Sequence, residues 1–470
     1  MPAPPITAEQ LAALPPEFRA LLQVVIDHYE ARIARLEADL AAARKTPANS
    51  SLPPGTQHPH AKPAPTTPRS ERRRGGQPGH PKHERALLPV ADCQAVEVLK
   101  PAACRGCGEP LTGADDTPLR HQVWDLPDIR PCVTEYQRHR LTCGGCGRTT
   151  CAALPPGTPA SQAGPQLVAL TALLMGCFRQ SKRRVALFLT EILHQPCSPG
   201  WVVKVQRQAT AALRPVYEAL ADALPAEPVV GGDETPTKQG PARVWLWTFV
   251  APAFTVFAIR PSRAGTAVTD LLGPDFPGIV VCDRAKMYWC VRQLQWCWAH
   301  LRRDFQAWAD HPGGVAKRLG QDLLRQTAAV FGLWQRVRDG TLPRDAFRRA
   351  VGPIRRAVEG LLLRGAYSRV RGVAGSCREL WTHRACLWRF VDQPGVEPTN
   401  NASERALRPA VIWRKLSFGT QSAGGSRFVE TLLSVIETCR QQKRSAIAFV
   451  REAVGRYFSK LPAPALLAGV

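Results

Sequence analysis

Apolar residues near the N-terminus recur at the spacing of one helical face. They follow a 4-3-4-3-4 pattern at Leu22, Ile26, Tyr29, Ile33, Leu36 and Leu40. The pattern predicts one helix from Glu17 to Lys45. A heptad seam of this kind favours a short coiled coil, and therefore a homodimer or higher oligomer. An amphipathic helix docked on its own protein would give the same pattern.

Shorter apolar runs follow in the second half of the chain. In order, they predict a strand at PVVGGD (228–233), an antiparallel hairpin of VWLWTFV (244–250) and TVFAIRP (255–261), a helix capped by Ser262 and ending at Leu272, and a buried strand at GIVVCD (278–283). In a mixed sheet the first and fourth strands can lie side by side. Each of them ends in an acid, so this order would bring Asp233 and Asp283 together. Acids at strand ends are also typical of solvated turns, and these residues alone do not exclude that.

Between these regions the pattern is helical. One helix is predicted over Lys182–Leu193, and after a short turn Ser198 caps another that runs to about Leu213. This is the plan of a helix-turn-helix, in which Lys204 and Arg207 on the second helix would contact DNA. Two ordinary packed helices fit the sequence equally well.

The charge of the chain points to a polyanionic partner. Lys and Arg number 62 against 38 Asp and Glu, giving +24 and a pI near 10.0; nucleic acid is the commonest partner of so basic a protein. The longest apolar stretch, residues 167–178, is too short to cross a bilayer. No secretory signal opens the chain, and the 15 cysteines fit a reducing compartment. We expect a cytoplasmic protein, associated with the nucleoid when bound to double-stranded DNA, with no membrane partner.

Residues 49–85 are rich in Pro, Ser and Gly and contain little to bury. Such a composition predicts disorder. The cluster Arg72, Arg73 and Arg74 would let the segment lie along phosphates and add salt-dependent affinity. A solvated linker with no binding role is the alternative.

Two cysteine motifs predict a metal site. CRGCG (104–108) and CGGCG (143–147) place Cys104, Cys107, Cys143 and Cys146 on two tight turns, which suits a tetrahedral, structural Zn²⁺. The segment between them, with VWDL and CVTEYQRHRLT, is predicted to form a β-hairpin. Together these features indicate a zinc ribbon.

A third acid that could join the first two lies in EPTNNASERALRP (397–409). Asn400 or Asn401 is predicted to cap a helix whose first turns carry Glu404, with Arg405 and Arg408 on one face towards a phosphate. Clustered carboxylates repel one another, so they are tolerated chiefly where divalent cations sit between them. Two Mg²⁺ ions held this way can promote phosphodiester chemistry.

The same segments carry a family resemblance. GGDETPTK (231–238), CDRAKMY (282–288), QLQWCWAHLRRDF (293–305) and PTNNASERALRPAVIWRKLSFGT (398–420) are similar to the successive motifs of the insertion-sequence-66 family of DDE transposases. A zipper-like helix, an NSS…PP tract, a GGQPGH element and a two-CxxC ribbon precede them in the family's order. The resemblance covers nearly the whole chain.

The resemblance implies a ribonuclease H-like enzyme that binds terminal inverted repeats, cleaves DNA and transfers the strands to target DNA. Asp233, Asp283 and Glu404 would be its catalytic, Mg²⁺-binding triad, with Mn²⁺ as a substitute. Other motif positions, expected to support the acids or contact DNA, are Tyr288, Trp298, His300, Arg302, Arg303, Asn400, Asn401, Arg405, Arg408, Arg414 and Lys415. Small accessory proteins of the same element are further expected partners.

The predicted fold class is multidomain, with an α/β ribonuclease H-like catalytic core and an all-α insertion. The predicted parts are a coiled-coil helix (1–45), a basic Pro-rich linker (46–92), a zinc ribbon (93–152), a helix-turn-helix-like segment (153–225), the catalytic domain (226–300 and 395–470) and the helical insertion (301–394).

Three positions depart from the family pattern. Arg284 and Lys286 follow the second acid, where their charge could compete with Mg²⁺, and Thr399 stands where many members carry an acid. Two alternatives therefore stay open. One is a ribonuclease H-like nuclease without strand transfer, and the other is a catalytically inactive zinc-ribbon DNA-binding protein.

Overall fold

The computed structural model describes residues 13–43, 45–46, 49–50, 85–159 and 161–467. The predicted phosphate contacts Arg72, Arg73 and Arg74 lie outside these ranges. Helix α1 (Pro16–Ala43) confirms the predicted N-terminal helix. Tyr29, Ile33 and Leu36 on its seam are exposed in the single chain, and the coiled coil that would cover them stays a prediction.

Residues 85–159 have little regular structure and no buried side chain. Strands β1 (Arg140–Thr142) and β2 (Thr149–Cys151) pair antiparallel on either side of the second cysteine motif. The hairpin predicted between the two motifs was wrong, because residues 111–139 contain no strand. Pro127 and Pro131 interrupt that segment, and proline has no amide hydrogen to donate to a strand ladder.

A five-stranded mixed sheet forms the centre of the remaining chain. Its strands are β3 (Val229–Gln239), β4 (Ala242–Val250), β5 (Thr255–Arg260), β6 (Ile279–Cys282) and β7 (Leu294–Trp296). The order is β5-β4-β3-β6-β7, with β3, β6 and β7 parallel and β4 antiparallel to both of its neighbours. This confirms the predicted hairpin and the predicted pairing of the first and fourth strands.

Strand β3 does not end at its acids, as the sequence suggested, but continues to Gln239. Its pairing with β4 extends from Gly231 to Gln239, so β4 supplies hydrogen-bond partners along this whole length. Its pairing with β6 stops at Gly231. Asp233 therefore lies in a strand that is paired on one side and has lost its neighbour on the other.

Helices cover the sheet and extend from it. They are α2 (Pro165–Gly176), α3 (Lys182–Leu193), α4 (Pro199–Ala223), α5 (Thr266–Leu272), α6 (Trp298–Ala309), α7 (Gly314–Arg338), α8 (Arg344–Ala366), α9 (Val373–Thr382), α10 (Ala385–Asp392), α11 (Asn401–Ser417), α12 (Ala423–Gln441) and α13 (Ala446–Phe458). Helix α5 begins later than predicted, because Ser262 Oγ accepts from the amide of Ala264 in a turn and does not cap the helix. None of the described helices is long and apolar enough to span a bilayer.

Side chains of helix α12 accept hydrogen bonds from the amides of the edge strand β5. The amides of Thr255, Phe257 and Ile259 on β5 donate to Thr438 Oγ1, Ser434 Oγ and Glu430 Oε2, at 3.1, 2.9 and 2.9 Å. Every second strand amide thus meets a side chain four residues further along the helix, because two strand residues and four helical residues both advance by about 6 Å. The edge is thereby protected from pairing with another chain.

The predicted helix-turn-helix segment forms α3 and α4. Ser198 Oγ accepts from the amide of Trp201, as predicted, but α4 continues to Ala223. The buried side chains of α2–α4 share one core with the sheet and α12. Lys204 and Arg207 are exposed on α4.

From α6 to α10 the chain is entirely helical between its short turns, as predicted for the insertion. Its tryptophans lie mainly in the core. Trp298 packs on Trp388 with ring centroids 5.0 Å apart, and Trp334 packs on Phe390 at 5.4 Å.

Candidate active site

Two glycines let other elements approach the strand that carries the first acid. A Cβ at Gly231 would lie 2.3 Å from Ser403 Oγ of α11, and one at Gly232 would lie 2.9 Å from Cε1 of Tyr288. Successive residues of a strand face opposite sides. The pair GG before Asp233 thus admits α11 on one face of the sheet and Tyr288 on the other.

The structure places Asp233 where charge is poorly tolerated. Burial raises the pKa of Asp233 well above its ordinary value, and the charges of Glu234, Asp283 and Glu404 raise it further. Asp283 and Glu404 are therefore both near enough to Asp233 to act on it electrostatically. Oδ1 of Asp233 accepts a single described hydrogen bond, from the amide of Glu234 at 2.9 Å. Such a cluster of acids in a desolvated setting is stabilised by a cation.

Asp283 follows β6 directly and accepts a hydrogen bond from the amide of Ala285 at 2.9 Å. The next residue, Arg284, forms ion pairs with Asp304 of α6 at 3.2 Å and with Glu379 of α9 at 3.3 Å. Its charge is thus balanced by two acids of the helical region. Lys286 is exposed, with its ammonium 5.7 Å above the ring of Trp289.

Glu404 lies in the first turn of α11, as predicted, and is turned towards α6. Its Oε1 is 3.7 Å from His300 Nδ1. Ligand atoms of Cys297, His300 and Glu404 all lie within 4.8 Å of one another. In the described chain, Asp233, Asp283 and Glu404 do not form a group of that span. Acids that share two ions about 4 Å apart can be more widely spaced than the ligands of one ion.

Asn400 joins α11 to the sheet. It is buried, its Nδ2 donates to Gly232 O at 2.8 Å, and its amide donates to Cys297 Sγ at 3.2 Å. The helix begins at Asn401, and the predicted side-chain cap from Asn400 is absent. Its side chain instead binds Gly232, the residue before Asp233. This bond ties the helix that carries Glu404 to the strand that carries Asp233.

Glu234 and Arg263 also belong to this site, although neither was predicted from the sequence. The Glu234 side chain is only 4% exposed; Arg263 donates to its Oε1 at 2.6 and 2.9 Å, and the Tyr288 hydroxyl donates to its Oε2 at 2.7 Å. Burial raises the pKa of Glu234, while both partners act to lower it. Strand alternation, which places Glu234 opposite Asp233, was the signal that could have identified it.

Among the residues expected to support the acids or to contact DNA, two are fully buried. Trp298 is fully buried and its indole donates to Leu387 O at 2.8 Å, so it supports the fold and is not available to DNA. Tyr288 is also fully buried, against Glu234. The exposed members of the predicted set around this site are Arg302, Asn401, Arg405, Arg408 and Lys415, whereas Arg303 and Arg414 are half-buried.

The two cysteine motifs form the same turn. The amide of Cys104 donates to Glu109 O at 2.8 Å and that of Gly108 to Cys104 O at 2.9 Å; the second motif repeats both bonds around Cys143, at 3.0 and 2.9 Å. Gly108 and Gly147 adopt φ angles of +80° and +68°, which glycine accepts without strain.

Each turn favours a thiolate. The amide of Cys107 is the largest cause lowering the pKa of Cys104, and the amide of Cys146 does the same for Cys143. This local chemistry fits Zn²⁺. No three of the four described thiols lie within 4.8 Å of one another, so the four-cysteine site stays a prediction.

Two comparisons place the chain among known proteins. A family model described as "Transposase IS66 family" matches residues 160–427, more than half of the chain. "Uncharacterized protein y4qI" from Sinorhizobium fredii (strain NBRC 101917 / NGR234) is 26% identical over 252 residues. That match covers 47% of this chain and 45% of the relative, so the chain spans less than half of that curated relative's length.

Proposed function

The chain belongs to the IS66 family of transposases, and from that premise we propose that it is a DDE transposase acting on double-stranded DNA. It binds the terminal inverted repeats of an insertion sequence, cleaves the strands and joins the freed 3′ ends to target DNA. The observation that carries the proposal is that Asp283 and Glu404 both lie near enough to Asp233 for their charges to raise its pKa. Asp233 lies in β3, Asp283 directly follows the neighbouring strand β6, and Glu404 lies on α11, which packs on β3 and β4.

The proposed catalytic unit is a ribonuclease H-like fold. Its support is the sheet order β5-β4-β3-β6-β7, in which the acid-bearing strands β3 and β6 are parallel neighbours. After the helical region, helix α11 packs on β3 and β4 and brings Glu404 to the sheet.

In this proposal Asp233, Asp283 and Glu404 hold Mg²⁺, with Mn²⁺ as a substitute. When bound, the ions supply the positive charge that offsets the negative charge developing during in-line phosphoryl transfer. The protein holds the acids in place, because β4 pairs with the backbone of Asp233 and Asn400 ties α11 to Gly232. Positioning of this kind provides much of the acceleration in phosphoryl transfer.

The remaining parts have proposed roles in DNA binding and assembly. Exposed Arg405 and Arg408 lie on the helix that carries Glu404, where they can bind phosphates. Lys204 and Arg207 on α4 would contact the repeats. The four cysteines would close on a structural Zn²⁺, which would stabilise a region that has no buried core of its own. The exposed seam of α1 would pair protomers.

The test is a cleavage assay on DNA carrying the repeats, which are found by sequencing both flanks of the coding region. Asp233→Asn, Asp283→Asn and Glu404→Gln should each reduce Mg²⁺-dependent cleavage at least about 100-fold, equivalent to about 2.7 kcal/mol. The matched control is Asp270→Asn, since Asp270 is an exposed acid of α5. A triad variant that cleaves as fast as this control would remove that acid from the mechanism.

The same assay separates the alternatives. Cleavage without joining to a target duplex would identify a nuclease. A wild-type protein that binds the repeats, does not cleave them and gains no thermal stability from Mg²⁺ or Mn²⁺ would be an inactive DNA-binding protein.

A further inference from the structure

A thiol, an imidazole and a carboxylate meet beside the proposed catalytic acids. Cys297 is the residue before α6, His300 lies in the first turn of that helix, and Glu404 comes from α11. Backbone contacts hold the two chain segments together. The amide of Trp298 donates to Pro398 O at 2.9 Å, and that of Asn400 donates to Cys297 Sγ at 3.2 Å.

Two of the three ligand atoms are left without a hydrogen bond. His300 Nδ1 and Glu404 Oε1 are buried atoms that lack a hydrogen-bond partner in the described structure, although they are only 3.7 Å apart. Unpaired buried polar atoms are costly, and a bound cation would satisfy both. The third atom, Cys297 Sγ, lies within 4.8 Å of the other two.

The ligand types indicate which cation would bind. Mg²⁺ prefers oxygen ligands, whereas Zn²⁺ accepts one sulfur, one nitrogen and one oxygen. Three protein ligands leave the fourth tetrahedral position to solvent. The group is therefore suited to Zn²⁺ and unsuited to Mg²⁺.

We propose that Cys297, His300 and Glu404 form a second metal site, selective for Zn²⁺, that competes with the Mg²⁺ site for Glu404. Binding replaces the thiol proton of Cys297, which passes to solvent, and holds Glu404 against α6. Its regulatory consequence rests on the proposed function: Zn²⁺ at this site withdraws one acid from the catalytic triad and inhibits cleavage reversibly.

Metal binding is tested first, on the full-length protein and without DNA. Co²⁺ replaces Zn²⁺ as the probe, because its bond to a thiolate gives a charge-transfer absorption. Cys297→Ser should bind one Co²⁺ fewer per chain than the wild type and lose the corresponding part of the absorption. Cys290→Ser is the matched control, since Cys290 is an exposed cysteine of a neighbouring turn. His300→Ala should lose the same ion if all three ligands act together.

Equal Co²⁺ stoichiometry and absorption in the wild type and in both ligand variants, each with an unchanged thermal transition, would overturn the site. This result does not depend on catalysis. A loss of the ion in a ligand variant that retains the wild-type circular dichroism would support it.

Inhibition is tested second, at fixed Mg²⁺ in the cleavage assay. Zn²⁺ should inhibit the wild type and Cys290→Ser alike, whereas Cys297→Ser, measured against its own uninhibited rate, should need at least tenfold more Zn²⁺. Equal inhibition of Cys297→Ser and the control would overturn the regulatory consequence. If the wild type cleaves no DNA at any metal concentration, the proposed function fails while the Co²⁺ measurement still decides the metal site.

Discussion

Tyr288→Phe tests how the strand carrying Asp233 is held in place. The substitution removes one hydroxyl, which donates to Glu234 Oε2 at 2.7 Å, and keeps the ring that packs edge-on against Trp247 at 6.0 Å. No cavity larger than the hydroxyl is created. The energetic change is therefore almost entirely the loss of one buried hydrogen bond.

Its magnitude follows from the charge and burial of the acceptor. A hydrogen bond to a charged group contributes about 1.5–3 kcal/mol, and the Glu234 side chain is only 4% exposed. Arg263 still donates to Oε1, so half of the carboxylate stays paired. We expect the free energy of unfolding to fall by about 2 kcal/mol, and the Tm of the catalytic unit by about 4–8 °C.

Urea denaturation followed by tryptophan fluorescence measures this change, since Trp247 lies against the altered ring. Tyr367→Phe is the control, because that tyrosine is 84% exposed and its loss should change stability by less than about 0.5 kcal/mol. A double-mutant cycle with Glu234→Gln should give a coupling energy of about 1 kcal/mol or more. A Tyr288→Phe protein as stable as the control would refute the reasoning.

The effect should also depend on pH. The Tyr288 hydroxyl lowers the pKa of Glu234, although burial keeps that pKa above its ordinary value. A bond that favours the carboxylate stabilises the fold above the folded-state pKa and loses this contribution as pH falls through it. The stability difference between wild type and Tyr288→Phe should therefore shrink in acid, and a difference that grows there would contradict the assignment.

Three further predictions concern the same unit. Gly231→Ala should lower the free energy of unfolding by about 1–3 kcal/mol, because the added methyl group overpacks the site. Since the clash is with the Ser403 hydroxyl, adding Ser403→Ala should restore part of this loss in urea denaturation; no recovery would mean that the strain lies elsewhere. Ser434→Ala should cost about 2 kcal/mol by leaving a buried strand amide unpaired, against less than about 0.5 kcal/mol for exposed Ser417→Ala, and equal Tm values would refute the edge-capping role of α12. Because the pKa of Asp233 is raised, protein without divalent cations should lose stability as pH rises from about 4 through the folded-state pKa; Asp233→Asn should lack this loss, and parallel stability–pH curves would contradict it.

Periodicity and motif spacing predicted much of the catalytic unit. The hairpin β4–β5, the buried strand β6 and the helix that carries Glu404 lie close to their predicted positions. These features depend on local alternation of apolar residues and on local capping, which can be recognised within a short stretch of sequence. The hairpin between the cysteine motifs failed because two prolines outweighed a weak alternation.

The ion-pair partners of individual side chains could not be predicted from such local patterns. The charge of Arg284, which the sequence suggested would compete with Mg²⁺, is balanced by Asp304 and Glu379 from two helices of the insertion. The pairing of Glu234 with Arg263 likewise joins a strand to a distant turn. Ion pairs such as these depend on which elements pack together, and no short stretch of sequence contains that information.

The amino-acid sequence by itself determined which acids the chain possesses, the order of the strands along it and the turns that carry the paired cysteines. Only the tertiary structure decided that Glu404 faces Cys297 and His300, that Asn400 binds the strand and that Asp233 lies half-buried near other acids. The physical reason is the distance along the chain over which each effect acts. Backbone preferences depend on a few consecutive residues, whereas desolvation and charge–charge interactions depend on groups that only folding brings together.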